Sequence, residues 1–259
     1  MKKRNLSFLD ALKIFWIGLW AAIATMLVFF PVIIAAMLSS TGNLAFTLSK
    51  IWAHIMLKAT GVHPVIRGRE KIVEGQSYII ISNHQSEYDI LALVTTLRIQ
   101  FRWIIKMELR KVPLFGYALY VSRNRFIDRS QTEKAVKSIK EGLDRLPKGV
   151  SVMFFAEGTR SEDGSIQPFK KGGFMMALEK GMPILPVTVN GSRKVLPKKS
   201  LIFKPGPIEV VISDPIETKG YTKEQLQELI DRTRGVIIAQ FNSDYPHEPQ
   251  GSRLTNKAA

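Results

Sequence analysis

Two short stretches carry the side chains best suited to chemistry. In "ISNHQSEYDI", residues 81–90, His84 stands five positions before Asp89, where an apolar run gives way to a polar turn. A neutral imidazole is a suitable general base near pH 7, and a carboxylate on its other ring nitrogen fixes the tautomer and stabilises the imidazolium that forms. Asp89 meets that need if a helix opening near Ser86 turns back over the strand end. The same two residues serve equally well as a turn cap and as a carboxylate at the positive end of a helix, a role worth ~0.3–1 kcal/mol. The stretch alone leaves base and cap open. A metal site from His84, Glu87 and Asp89 is disfavoured, because no cysteine and no second histidine lie near.

The second stretch is "FFAEGTRSEDG", residues 154–164. A glycine after an apolar strand lets backbone approach a ligand closely, and the planar fork of Arg160 suits phosphate or carboxylate. Glu157 fits either a bond from a substrate hydroxyl or a contact that holds an arginine. An ordinary loop with a surface ion pair, worth ~0–1 kcal/mol, fits as well. A third segment, "SRNRFIDRS" (122–130), interleaves Arg123, Arg125 and Arg129 with Phe126 and Ile127. If extended, it places Arg125, Ile127 and Arg129 on one face, and a guanidinium sharing a face with isoleucine calls for an anion. Lys106, ending another apolar run, is a further candidate phosphate contact.

These residues need a scaffold, and the hydrophobic pattern supplies one. After Pro64, short apolar runs alternate with polar helical stretches, the mark of an α/β domain with a largely parallel sheet flanked by helices. Strands are predicted at 78–82, 101–106, 149–156, 182–190 and 207–213. Ser130/Glu133 and Thr222/Gln225 fit capping boxes opening helices over "TEKAVKSIKEGLDRL" and "KEQLQELIDRTRGVIIAQF". His84 and Glu157 each follow a predicted strand, and parallel sheets bind ligands beyond the carboxyl ends of their strands. Both clusters therefore point at one edge.

The chain has 259 residues, a net charge of +15 and no cysteine. Missing cysteine excludes disulfides, thiolate metal sites and a cysteine nucleophile, and the charge favours anionic partners. Most aromatics of the first part lie in an apolar segment away from basic residues, which argues against a stacking surface for nucleic acid. From Ile14 to Leu38 no residue is charged, long enough for a membrane helix and too long for the ~7–15-residue apolar region of a signal peptide. Lys2, Lys3 and Arg4 hold the amino terminus in the cytoplasm, so a single span exports the rest. A second, amphipathic helix after turn residues 39–43 favours instead a helical hairpin dipping into one leaflet, with Pro31 as a kink. The expected organisation is a membrane-anchoring two-helix segment (1–62), an α/β domain (63–244) and a loose tail (245–259). Arg193, Lys194, Lys198, Lys199 and Lys204 suit either an anionic membrane surface or solvent.

Taken in order, the blocks resemble those of the glycerophospholipid acyltransferases, most closely the bacterial 1-acyl-sn-glycerol-3-phosphate acyltransferases. His84 and Asp89 match the family's His-x4-Asp, "FIDR" its apolar segment ending in Arg129, "FAEGTR" its Phe-Pro-Glu-Gly-Thr-Arg, and "MPILPV" its apolar segment with prolines. Ala156 replaces a proline, and Arg123 stands where a glycine is expected. The resemblance implies that His84 is the base and Asp89 its partner. It implies that Glu157, Gly158 and Thr159 bind the acceptor, with Arg129, Arg160 and Lys106 on its phosphate. It further implies acyl transfer from acyl-CoA or acyl carrier protein to lysophosphatidic acid, without cofactor or metal, at the cytoplasmic side of the inner membrane. Another lysophospholipid or lyso-amino-lipid acceptor remains an alternative, as does a non-catalytic basic binding module.

Overall fold

The structure, a computed structural model, describes residues 7–128, 144 and 146–246. Arg129, the capping box at Ser130 and Glu133, and the helix expected over 132–146 (of which Asp144 and Leu146 alone are described) lie outside these residues, as does the tail from 247. Seven strands form one sheet: β1 (Val62–Arg67), β2 (Ile79–Ser82), β3 (Gln100–Lys106), β4 (Arg125–Ile127), β5 (Val150–Phe155), β6 (Ile184–Asn190) and β7 (Gly206–Ile212). Their order is β1-β7-β6-β2-β5-β3-β4, and every pair is parallel except β6–β7. The sheet is thus mixed and largely parallel. All five expected strands are present within a residue or two. The two that periodicity misses are the edges: β1 carries Pro64, which an edge tolerates, and β4 is three residues long.

Strand β2 reads Ile79-Ile80-Ile81-Ser82 and is buried on both faces, as a central parallel strand must be. Ile80 joins the core under helices α2 (Asn43–Thr60) and α3 (Tyr88–Thr96). Ile79 and Ile81 join a second core under α5 (Gly172–Lys180) and α7 (Leu226–Gln240). Helix α7 starts at Leu226, later than the expected box, of which only the bond from Thr222 N to the Gln225 side chain, 3.1 Å, is found.

The amino-terminal helix α1 (Phe8–Leu38) opens with a reciprocal capping box between Ser7 and Asp10 and runs through Pro31 as one element. It is long and apolar enough to cross a membrane. It packs along α2, where Trp52 Nε1 donates to Thr25 Oγ1 at 3.1 Å and Trp16 Nε1 to the Ala59 carbonyl at 2.6 Å. The turn between the helices is not a free tip. Arg102, buried within β3, donates to the Thr41 carbonyl at 2.8 Å and to the Asn43 side chain, and its guanidinium lies 5.5 Å from the centre of the Phe46 ring. Gly42 has φ +73°, and a Cβ there would meet Arg123 Cγ at 2.7 Å. Arg123 itself has φ +63°, so the arginine adopts the left-handed backbone for which glycine is best suited. The outward face of α1, from Phe8 and Leu9 through Phe30 to Met37 and Leu38, is exposed and apolar.

Candidate active site

The chain leaves β2 between β5 and β6, and the next four residues are fixed by backbone bonds. Asn83 is fully buried, and its amide exchanges bonds with β6, donating to the Val189 carbonyl at 2.9 Å and accepting from Val189 N at 2.8 Å. His84 follows. Its Nδ1 lies 2.8 Å from Asp89 Oδ2. That oxygen also accepts from Gln85 N at 2.7 Å and Ser86 N at 2.9 Å, so the carboxylate orients ring and turn together. With two amides already donating to this oxygen, Nδ1 is most favourably the protonated nitrogen, leaving Nε2 as acceptor. Asp89 is wholly buried and sits in the first turn of α3, while the His84 side chain is 14% exposed.

The ring orientation has a second support. His84 stacks on Phe155 with centroids 3.7 Å apart and planes 8° apart, and Phe155 stacks in turn on Trp103, 5.6 Å away. No spacing rule flags Phe155, because an aromatic ending an apolar strand reads as core.

Glu157 lies just past β5 and is 3% exposed. One oxygen accepts from His84 N at 2.7 Å and the other from Gln167 N at 2.9 Å. The carboxylate grouped with acceptor binding is therefore turned into the protein, tying the His84 turn to the loop before α5. Burial pushes its pKa up to about 7, and the nearby Asp89 adds to that, against the lowering effect of the two amide bonds and Arg234. Gly158 takes φ +73°, and the chain returns so that Ser161 N donates to the His84 carbonyl at 2.9 Å.

Arg160 forms an ion pair with Glu87 at the start of α3, and its side chain is 27% exposed. Thr159 Oγ1 and the Arg160 carbonyl accept from Lys198 Nζ at 3.3 and 2.7 Å, and Lys198 also pairs with Glu162 at 3.2 Å. Lys198, grouped with the membrane-facing basics on charge, is thus folded onto the 159–162 loop; its place across the sheet edge was not readable from sequence. Lys106 ends β3 on the same edge, two strands from β2, where it pairs with exposed Glu108 at 2.9 Å. Among the described residues no hydrogen bond or ion pair joins it to the His84 cluster. Arg129 lies outside the described residues. His84, Asp89, Glu157, Gly158, Thr159 and Arg160 are brought together, and Asn83, Phe155 and Lys198 are the additions.

An apolar cavity opens between the α1–α2 hairpin and helices α3 and α4 (Phe115–Val121), lined among others by Phe29, Val32, Trp52, Leu91, Trp103 and Phe115. Trp103 joins this cavity to the His84–Phe155 stack.

An imidazole oriented by a buried carboxylate thus stands at the carboxyl edge of an α/β sheet beside an apolar cavity, and a family model described as Acyltransferase matches residues 63–190. The chain is 31% identical over 201 residues to 1-acyl-sn-glycerol-3-phosphate acyltransferase alpha of Homo sapiens, covering 74% of this chain and 71% of that protein. It is 31% identical over 193 residues to 1-acyl-sn-glycerol-3-phosphate acyltransferase of Saccharomyces cerevisiae, covering 73% and 63%. The crystal structure of the 1-acyl-sn-glycerophosphate (LPA) acyltransferase PlsC from Thermotoga maritima has the same fold, with a TM-score of 0.75 at 24% identity over 89% of this chain and 94% of that one. The chain belongs to the 1-acyl-sn-glycerol-3-phosphate acyltransferase family.

Proposed function

We propose that the protein transfers a fatty acyl group from a thioester, acyl-CoA or acyl carrier protein, to the sn-2 hydroxyl of lysophosphatidic acid, giving phosphatidic acid. The observation that carries this reading is the 2.8 Å contact between His84 Nδ1 and buried Asp89, which leaves Nε2 for a substrate hydroxyl. Nε2 takes the hydroxyl proton as the oxygen attacks the thioester carbonyl. The C–S bond breaks on collapse, and the imidazolium returns its proton to the departing thiolate. General-base help is worth ~10²–10⁴ in rate. Positioning and charge stabilisation supply the remainder.

Arg160 is the residue best placed for the acceptor's phosphate, since a phosphate competes with Glu87 for its guanidinium. Arg129 and Lys106 are assigned to the same anion by resemblance. Gly158 and Thr159 shape the loop beneath it, and Glu157 acts through the backbone of His84. The apolar cavity suits an acyl chain. On this reading residues 1–62 anchor the protein in one leaflet of the inner membrane with the α1–α2 hairpin lying along it, because the polar turn is held by Arg102 while the outward face of α1 is apolar. Residues 63–244 then work on the cytoplasmic side, with basic residues toward anionic lipid and 245–259 as tail.

The test is an acyl-transfer assay on the purified full chain, with labelled acyl-CoA and acyl carrier protein, against a panel of acceptors. Phosphatidic acid formation from lysophosphatidic acid is expected. Turnover of a phosphate-free acceptor with none of lysophosphatidic acid would overturn the substrate assignment.

A further inference from the structure

On the side of the His84 turn away from β3 lies a groove of about 780 Å³ formed by the 161–164 turn, the 191–207 segment and the chain after α7. Its lining includes Gln85, Arg193, Lys194 and Lys204, with Asp163 as the one carboxylate among the described lining residues. We infer that this groove receives the phosphopantetheine arm of the acyl donor. The inference rests on the acyl-transfer reading and adds where the second substrate lies.

Three observations carry it. Gln85 is 2% exposed, and neither Nε2 nor Oε1 has a hydrogen-bond partner among the described residues. A buried amide left unpaired is costly, and its natural complement is another amide, of which a pantetheine arm carries two. The second observation is charge. Arg193 and Lys204 pair with no carboxylate among the described residues, and Lys194 donates to the Asp244 carbonyl at 2.6 Å. Asp163 is held well below the usual carboxylate range, at about 2, by bonds from the Ser165 amide and hydroxyl and from Ser161, so it stays ionised, and the three cations outnumber it. Three cations lining one groove suit a phosphodiester or diphosphate.

Position is the third. Gln85 directly follows His84 in the chain. Ser161 N donates to the His84 carbonyl at 2.9 Å, while the Ser161 carbonyl faces Arg193 Nη1 at 3.5 Å. The wall of the groove is therefore one residue from the base. Gly164 makes room for this arginine, since a Cβ there would lie 3.2 Å from Arg193 Cδ and Nε. The apolar cavity lies on the opposite, β3 side, so the groove and the cavity flank His84, and a donor arm in one leaves the other to an apolar chain.

An acceptor headgroup offers the same phosphate chemistry, and the test separates the two. Arg193→Gln with Lys204→Gln is made in the full chain in detergent, and KM is measured separately for the acyl donor and for lysophosphatidic acid. Loss of two charge-assisted contacts is expected to raise the donor KM roughly tenfold or more, with kcat and the acceptor KM within about twofold. An unchanged donor KM, or a shift confined to the acceptor, would overturn the assignment. Equilibrium dialysis of desulfo-coenzyme A, which shares the arm and needs no turnover, separates this inference from the reading beneath it. Binding to the wild type that weakens in the double variant supports the groove even if lysophosphatidic acid is not acylated. Absent or unaffected binding rejects it even if lysophosphatidic acid is a substrate.

Discussion

Asp89→Asn isolates what the buried carboxylate contributes. Its Oδ2 accepts from three nitrogens, two of them backbone amides, so an isosteric amide can keep the turn while removing the charge. As the imidazolium forms, a carboxylate with its charge centre ~4 Å away and an effective dielectric of ~20 stabilises it by ~4 kcal/mol. At 1.36 kcal/mol per decade this is about 10³-fold in rate. The expected outcome is therefore a kcat lowered about 10³-fold with the KM for lysophosphatidic acid within about threefold, measured by labelled acyl transfer. Circular dichroism and a denaturation midpoint give the folded fraction, because weaker bonds to the turn cost about 1–3 kcal/mol of stability. If kcat per folded molecule stays above about a tenth of wild type, Asp89 is a turn cap and the base assignment loses its main support.

Further expectations concern the residues around this pair. The Glu157 carboxyl is pushed up to about 7 by burial, against an ordinary 4.5, so the folded chain binds its proton more tightly than the unfolded chain does. Its contribution to stability is full below about pH 4.5 and is lost as pH rises through about 7, by about 3 kcal/mol. Glu157→Gln should remove that part of the pH dependence, and urea midpoints at pH 5 and pH 8 with the same slope in both proteins would contradict it. Arg160→Lys keeps the charge but not the fork, and is expected to raise the KM for lysophosphatidic acid roughly tenfold with kcat little changed. An unchanged KM would remove Arg160 from the phosphate site. Gly42→Ala places a methyl 2.7 Å from Arg123 Cγ at φ +73°. It should cost about 1–3 kcal/mol of stability in a thermal or urea melt, and a neutral result would show that the hairpin turn is not docked as described.

The His84–Asp89 contact was legible because five residues is the reach of one strand-to-helix turn, although Glu87 lies within the same reach and the stretch alone left base and cap open. The central strands were legible because burial on both faces leaves unbroken apolar runs such as "YIIIS". Edges were not: β1 contains His63 and Pro64, which break any periodicity, and β4 borrows its pairing from β3. The direction of Glu157 was beyond any spacing rule, since one glutamate in one loop faces substrate or backbone according to what the 165–167 segment brings opposite it. Gln85 gains its surroundings from chain between Asp163 and Pro246, and Lys198 gains its own from the 159–162 loop, nearly forty residues away. Arg102 did carry a signal, a charge within "FRWIIK", yet its partners Thr41 and Asn43 come from the turn that opens α2, about sixty residues earlier in the chain. The glycine expected at 123 is replaced in residue type but not in backbone, since Arg123 holds the left-handed conformation.

The most direct test is the rate of phosphatidic acid formation by His84→Ala beside wild type, with both proteins bound to vesicles of anionic phospholipid. An imidazole base predicts a loss of about 10²–10⁴-fold while vesicle binding is retained. Full activity in that variant would contradict the account.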